Sequence, residues 1–243
     1  MTVTHDRRLT PATERVALDR LRGVIDRPAY TAGRPARVTV PIADLYHAPA
    51  GARDRQVNFG ADLTVIDESE GWAFVQATLD GYCGWIRAAH LGDADAPITH
   101  RVSAPATHIY SAPNLKTPET LSLSLGARLS ISGRDGAFAQ LVQGGWIPAQ
   151  HITDLPAKDP AAVAEQLIGT PYLWGGNSRW GIDCSGLMQA ALAAWFPAAA
   201  AFAQHRCANP EPPGTGKEGQ GIRQHGKSMR KIIPHRYSRI SGT

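Results

Sequence analysis

Alternating apolar and polar positions run through most of the chain up to about residue 155. Residues 63–66, for example, place Leu63 and Val65 on one side of an extended segment and Thr64 on the other. Gly, Asp and Pro turns separate such runs, a pattern typical of short β-strands with one buried face. This part of the chain is therefore predicted to be β-structure.

The β-rich part contains an internal repeat. "LYHAP" at residues 45–49 returns as "IYSAP" at 109–113, and "FGADLTVIDESEGWAFVQ" from Phe59 matches "LGARLSISGRDGAFAQ" from Leu125. "GYCGWIRAAHL" from Gly81 likewise matches "GGWIPAQHI" from Gly144. Each copy predicts a small barrel of five or six strands, about 55 to 60 residues long.

After residue 155 the pattern changes to that of helices. Asp159 followed by Pro160 predicts an N-cap and first helical position, and Gly169 with Pro171 ends that helix. A second helix is predicted to begin at Cys184 or Ser185. Its predicted buried face carries Leu187, Ala190, Ala191 and Ala194 at helical spacing.

Composition narrows the class of protein. The 243 residues are 43% hydrophobic and 19% charged, which is ordinary for a globular protein. The charged N-terminus lacks the pattern of a secretory signal, and no apolar run has the length of a membrane span, so a cytoplasmic protein is predicted. The net charge of +4 comes from basic residues between 217 and 239, so no nucleic-acid partner is predicted for the folded part.

Three cysteines, Cys83, Cys184 and Cys207, are too few and too widely spaced to predict a disulfide framework or a zinc site. No metal and no cofactor are therefore predicted. At the start of a helix, the unpaired N–H groups would favour a Cys184 thiolate, and small neighbours at Ser185 and Gly186 would let a peptide approach. The alternative is that Cys184 is a small buried hydrophobic residue.

The string "GTPYLWGG", a short polar loop, then "DCSGL" and an Ala-rich helix occupy residues 169–195. This segment resembles the nucleophile segment of the NlpC family of bacterial cell-wall cysteine peptidases, which have a papain-like fold. The repeat over residues 36–155, with Gly-Trp-Ile near the end of each copy and Tyr46 and Tyr110 near the starts, resembles bacterial SH3-like domains. The alternative for Trp85 and Trp146 is that they are simply barrel core.

The whole arrangement resembles the γ-D-glutamyl-L-diamino acid endopeptidases, also called dipeptidyl peptidase VI. The predicted fold class is mixed β and α+β: two SH3-like barrels, then the helical N-terminal part of a papain-like domain. The predicted divisions are an arm (1–35), a first SH3-like domain (36–95), a second (96–156), a partial NlpC-type domain (157–197) and an irregular basic tail, predicted to be disordered (198–243).

The resemblance implies roles for particular residues. Cys184 would attack a γ-D-glutamyl amide carbonyl, with its own N–H and the Tyr172 hydroxyl stabilising the oxyanion. Asp183 and Ser185 would bind short muropeptides with a free N-terminal L-Ala, with Asp183 holding the amino group. Asp62 and Tyr82 of the first SH3-like domain are weaker candidates for substrate contacts. The alternatives are a helix N-cap for Asp183, a solvated turn charge for Asp62 and a barrel aromatic for Tyr82.

A thiol nucleophile needs a base, and the family supplies a histidine about 50 to 60 residues later in a segment like G-D-L-x-F-W-x-G-H-V. Residues 185–243 contain no such segment; their histidines are His205, His225 and His235. His235 has the right distance, but the preceding Pro234 would interrupt a strand. Our hypothesis is that the reading frame is disrupted near Pro197. The leading prediction is a cysteine peptidase that hydrolyses γ-D-glutamyl bonds of short stem peptides. The alternatives are a non-catalytic cell-wall-peptide-binding protein that uses the SH3-like pair, and an unproductive truncated product.

Overall fold

A computed structural model of the chain describes residues 6–195. The described part is mostly β-sheet with two α-helices, α1 (Pro160–Glu165) and α2 (Cys184–Trp195). The strands up to the middle of the chain are β1 (Val16–Leu18), β2 (Ala29–Thr31), β3 (Arg34–Val38), β4 (Ile42–Tyr46), β5 (Arg53–Asn58), β6 (Asp62–Ser69), β7 (Trp72–Ala77), β8 (Cys83–Arg87) and β9 (Leu91–Gly92). Those that follow are β10 (His100–Val102), β11 (Ala106–Tyr110), β12 (Glu119–Ser124), β13 (Arg128–Leu129), β14 (Ile131–Asp135), β15 (Phe138–Leu141), β16 (Trp146–Pro148), β17 (Ile152–Thr153), β18 (Asn177–Ser178) and β19 (Gly181–Ile182).

Strands β3 to β9 form one seven-stranded antiparallel sheet, which we call the first β-module. Its strand order is β5-β4-β8-β7-β6-β3-β9. The inward residues alternate with outward ones along each strand, so Leu45, Leu63, Val75 and Ile86 are almost completely buried in one core. The alternation of residues 63–65 predicted from the sequence is present in β6.

The N-terminal segment covers the outer face of this module. β1 and β2 pair in parallel, and Leu18 of β1 packs in a second cluster with Ile66, Phe74 and Cys83. Trp85 borders this outer cluster, 5.3 Å from Phe74 between ring centroids, so it does not lie in the main core as the barrel-core alternative assumed. The arm thereby gives the first β-module two buried faces.

Strands β10 to β17, which we call the second β-module, repeat the order of the first. β12-β11-β16-β15-β14 corresponds to β5-β4-β8-β7-β6, and β13-β10-β17 corresponds to the β6-β3-β9 end. The long strand β6 is matched by two strands, β13 and β14, with Ser130 between them. Leu123, Leu129, Leu141 and Ile147 fill the core of this module.

Close backbone approach joins the two modules. The Arg128 N–H donates to the Phe59 carbonyl at 2.9 Å. Gly60, with φ +75°, lies so near that a Cβ on it would be 1.9 Å from the Arg128 carbonyl oxygen, which only glycine permits. Asp62 bridges the same junction, 2.7 Å from Arg37 of its own module and 3.2 Å from Arg128 of the other.

The last part of the described chain packs α1 against α2. The sequence prediction for α1 is confirmed, because the Asp159 side chain accepts the Ala161 N–H at 2.8 Å and Pro160 is the first helical residue. The predicted start of α2 at Cys184 is also confirmed. Its predicted inner face packs against α1 in a cluster that contains Val163, Leu167, Ala191 and Ala194. Within residues 6–195, no helix is long and apolar enough to cross a membrane.

Candidate active site

Cys184 is the first residue of α2, and it is exposed. The residue before it, Asp183, is 8% exposed, and its carbonyl accepts the Leu187 N–H at 2.9 Å to begin the helix. One carboxylate oxygen, Oδ1, accepts the Gly186 N–H and the Ser185 hydroxyl, both at 2.7 Å. Asp183 is therefore the N-cap of α2, as the structural alternative predicted, and it orients the turn that carries the thiol.

The second Asp183 oxygen binds a loop outside the helix. Oδ2 accepts the Gly175 N–H at 2.8 Å, and the Asp183 N–H donates to the Gly176 carbonyl at 3.2 Å. We call residues 174–177 the Trp-Gly-Gly loop. The carboxylate thus accepts three hydrogen bonds, two from the helix turn and one from this loop.

Glycines allow the loop to lie between two elements. A Cβ on Gly186 would be 2.2 Å from the Gly176 carbonyl oxygen, so α2 touches the loop backbone directly. On the other side, a Cβ on Gly175, whose φ is +72°, would be 2.8 Å from the Asp54 carbonyl oxygen of β5. Any side chain at these positions would separate the helix, the loop and the first β-module.

Tyr172 is held beside the same turn by backbone pairing. It forms a parallel bridge with Ile182, and the Leu173 N–H donates to the Ile182 carbonyl at 3.1 Å. Its side chain is 68% exposed. The backbone therefore brings Tyr172 alongside the residues that immediately precede Cys184, and its role at an oxyanion stays a prediction.

The other two predicted contacts, Asp62 and Tyr82, already have partners in the first β-module. Asp62 is bound to two arginines, as described above, and lines a cavity of about 510 Å³ between the modules and the C-terminal half of α2. Tyr82 is 6% exposed, and burial raises the pKa of its hydroxyl. The Arg55 guanidinium lies 5.2 Å from the Tyr82 ring centroid and pairs with Asp80. Their contact with substrate stays a prediction.

Sequence reasoning missed the side chains that hold the Trp-Gly-Gly loop on the first β-module. Arg53 donates Nε–H and Nη2–H to the Trp174 carbonyl at 3.1 and 2.9 Å. Gln56 accepts the Asn177 N–H at 3.3 Å. These pairs are each 121 residues apart in the chain, and no local pattern signals them.

The other described cysteine differs sharply from Cys184. Cys83 is completely buried, and burial raises the pKa of its thiol to about 12. No histidine within the described residues hydrogen-bonds the Cys184 sulfur; His47, His100, His108 and His151, for example, bond to other groups. The predicted tail and the candidate bases His205, His225 and His235 lie outside the described residues, as does Cys207.

Two family models match the chain. The bacterial dipeptidyl-peptidase SH3 domain matches residues 45–91, in the first β-module, and the NlpC/P60 family matches residues 169–199, which include the Trp-Gly-Gly loop and α2. The resemblance predicted from the sequence is confirmed, with the catalytic match limited to this short segment. The predicted similarity to peptidases of this family is confirmed over the same segment.

Individual proteins similar to this chain point to the same family. A γ-D-glutamyl-L-lysine dipeptidyl-peptidase of Bacillus cereus is 27% identical over 168 residues, covering 58% of this chain and 50% of the relative. The chain thus spans half the length of that relative. A solved NlpC/P60 family protein from Bacillus cereus has a TM-score of 0.57 at 22% identity, covering 66% of this chain and 72% of that one. An NlpC/P60 endopeptidase from Photobacterium damselae has a TM-score of 0.50 at 14% identity, covering 68% and 44%. At these identities the two structures show a shared fold.

Proposed function

We propose that this chain is a thiol peptidase that hydrolyses γ-D-glutamyl amide bonds in short peptidoglycan stem peptides, in cell-wall peptide turnover or recycling. The observation that carries the proposal is the position of Cys184, exposed at the first residue of a helix whose N-cap is fixed by three hydrogen bonds. Helix N-termini favour anions, so this position suits a thiolate nucleophile.

The proposed domain organisation has two SH3-like barrels, at 36–95 and 96–156, ahead of a partial papain-like domain at 157–197. Support comes from the match of residues 45–91 to a bacterial dipeptidyl-peptidase SH3 model and from the common strand order of the two β-modules. An arm at 1–35 and a basic tail at 198–243 complete the proposal. We place the protein in the cytoplasm, where short recycled peptides would reach it.

The proposed reaction begins with attack of the Cys184 sulfur on the γ-D-glutamyl carbonyl carbon, which gives a tetrahedral oxyanion. The Cys184 N–H and the Tyr172 hydroxyl would donate to that oxyanion. A proton from water then reaches the amide nitrogen, the C–N bond breaks to release the amine of the diamino acid, and a thioester remains on Cys184. A second water hydrolyses the thioester to the free acid and returns the Cys184 thiol. Asp183 would bind the amino group of an N-terminal L-Ala, and Ser185, Tyr82 and Asp62 are further candidates for substrate contacts.

Asp183 would meet that amino group with a carboxylate that is already hydrogen-bonded. Three donors occupy part of its acceptor capacity, and an ionised carboxylate offers about four acceptor positions. One further donor, such as a substrate ammonium, is therefore compatible with the N-cap role. The two roles of Asp183 do not exclude each other.

A second candidate is a non-catalytic binding protein that holds the same peptides. It is favoured by one observation: among residues 6–195, no histidine is hydrogen-bonded to the Cys184 sulfur to act as its base. The two candidates make opposite predictions about turnover and the same prediction about binding.

The test uses the full chain and L-Ala-γ-D-Glu-diaminopimelate, with release of L-Ala-D-Glu followed by mass spectrometry. The peptidase proposal predicts that the native chain releases the dipeptide and that Cys184→Ala does not. Cys83→Ala is the control and is expected to release it, because Cys83 is buried away from the site. Binding measured by calorimetry without any release would overturn the peptidase proposal in favour of the binding protein. Release unaffected by Cys184→Ala would contradict the assigned nucleophile.

A further inference from the structure

Three side chains of the first β-module reach the Trp-Gly-Gly loop or hold the residues that do. We propose, on the premise of the peptidase function above, that Asp44, Arg53 and Gln56 form a clamp that positions the Cys184 thiol for reaction. These are positioning residues, because they act on the thiol through the loop and not by touching substrate. The first β-module then helps to position the nucleophile.

Asp44 on β4 organises the other two members. Its Oδ1 accepts the Gln56 Nε2–H at 3.0 Å and lies 3.5 Å from Arg53 Nη1. The Tyr46 hydroxyl donates to its Oδ2 at 3.2 Å. Gln56 is 8% exposed, and the Asp44 and Arg53 side chains are each 26% exposed, so Gln56 is buried and the other two are partly exposed. Side chains fixed in this way lose little further freedom on binding a neighbour.

Arg53 and Gln56 form hydrogen bonds with opposite ends of the Trp-Gly-Gly loop. The two Arg53 hydrogen bonds fix the carbonyl of Trp174, the first loop residue, and the Gln56 Oε1 fixes the N–H of Asn177, the last. The two residues between these ends are glycines, which have more backbone freedom than any other residue. A loop of this composition needs external contacts to keep one conformation.

The held loop meets the nucleophile through Asp183. Gly175 donates to Asp183 Oδ2 at 2.8 Å, and Gly176 accepts the Asp183 N–H at 3.2 Å. The carboxylate of Asp183 is next to Cys184 in the chain, and a nearby negative charge opposes a thiolate. Each N–H donor spreads that charge, so release of the loop would remove one donor and disfavour the reactive form of Cys184.

The chain offers a matched control for the arginine. Arg34 lies in the same β-module and pairs with Glu68 at 2.8 Å, but that pair is about half exposed and makes no contact with the loop. Arg53→Met and Arg34→Met therefore each remove one guanidinium and one ion pair from the same sheet. Only the first releases the Trp174 carbonyl.

The test measures the rate at which iodoacetamide alkylates Cys184 at pH 7, by peptide mass spectrometry on the full chain. Because Cys184 is exposed, this rate follows the thiolate fraction and not access. We expect Arg53→Met to slow alkylation at least about threefold, the scale of a lost helix-terminus contribution to an anion. We expect a similar decrease for Gln56→Leu. Arg53→Lys keeps a cation that can replace one of the two hydrogen bonds, so its rate is expected to be intermediate. Arg34→Met is expected to leave the rate unchanged.

All variants are compared at a temperature where circular dichroism shows each to be folded, so a loss of stability alone does not move the readout. Equal rates for Arg53→Met, Gln56→Leu and Arg34→Met would overturn the clamp. Alkylation needs no turnover, so a chain that hydrolyses nothing but shows these rate differences contradicts the peptidase proposal and supports the clamp. If the chain is active, Arg53→Met lowers kcat more than it raises KM.

Discussion

Replacing Asp183 by alanine tests how the nucleophile turn is held. The substitution removes the acceptor for the Gly186 N–H, which caps α2, and the acceptor for the Gly175 N–H, which ties the helix to the Trp-Gly-Gly loop. Both N–H groups belong to buried residues. The loss is therefore larger than that of an ordinary helix cap.

The magnitude follows from two contributions. Loss of an N-cap side chain costs about 1 kcal/mol. A buried N–H left without an acceptor, here that of Gly175, adds about 1 to 3 kcal/mol. We expect Asp183→Ala to lower the free energy of unfolding by about 2 to 4 kcal/mol. Asp159→Ala is the matched control, because its exposed carboxylate caps α1 through one hydrogen bond, and it is expected to cost about 1 kcal/mol.

The assay is guanidinium unfolding of the full chain followed by tryptophan fluorescence, with midpoints compared at equal slope. Trp174 lies in the Trp-Gly-Gly loop and Trp195 is the last residue of α2, so both belong to the affected region. The free energy of unfolding of Asp183→Asn is expected to lie between those of the native chain and Asp183→Ala. The amide oxygen can still cap the helix, but the amide NH2 group then faces the Gly175 N–H and cannot accept from it. Equal losses for Asp183→Ala and Asp159→Ala would show that the hydrogen bond from Gly175 adds no stability.

Three other outcomes follow from the same contacts. Gly186→Ala is expected to lower the free energy of unfolding by about 1 to 3 kcal/mol, because its Cβ would lie 2.2 Å from the Gly176 carbonyl oxygen. Gly133→Ala is the control, since the nearest atom to its Cβ would be 3.8 Å away. Equal denaturation midpoints for the two variants would contradict the close packing of α2 on the loop. Iodoacetamide at pH 7.5 should label Cys184 and spare Cys83, whose pKa of about 12 keeps its thiol neutral below that pH; peptide mapping that finds both labelled in the folded chain would count against this. Asp62→Ala removes the partner of two arginines and is expected to lower the free energy of unfolding by about 1 to 2 kcal/mol. This loss is expected to be smaller at high salt, and a loss that does not depend on salt would argue against an ionic origin.

The local parts of this structure could be predicted from the sequence. Asp159 before Pro160 signals a helix start by residue type alone, and the spacing of apolar residues after Cys184 identifies the inner face of α2. Alternation and turn residues likewise indicate the strands, and the internal repeat indicates that two modules share one strand order. Apart from the repeat, which compares distant segments, each of these signals depends on neighbours within a few positions.

The contacts across modules could not be predicted in this way. Asp62 follows a turn and looks solvated in the sequence, yet its partner Arg128 is 66 residues away. Tyr82, by contrast, is buried in the core of its own module, as the barrel-aromatic alternative predicted. The Arg53 and Gln56 contacts depend on how the first β-module, the Trp-Gly-Gly loop and α2 pack together. No pattern in a single sequence predicts that packing.

Reaction of the full chain with L-Ala-γ-D-Glu-diaminopimelate is the decisive measurement for Cys184 as a nucleophile. We expect the native chain to release L-Ala-D-Glu, Cys184→Ala to abolish the release, and Cys83→Ala to preserve it. A native chain that binds the peptide and leaves it intact, or a Cys184→Ala chain that still cleaves it, would show that Cys184 is not the nucleophile of a peptidase.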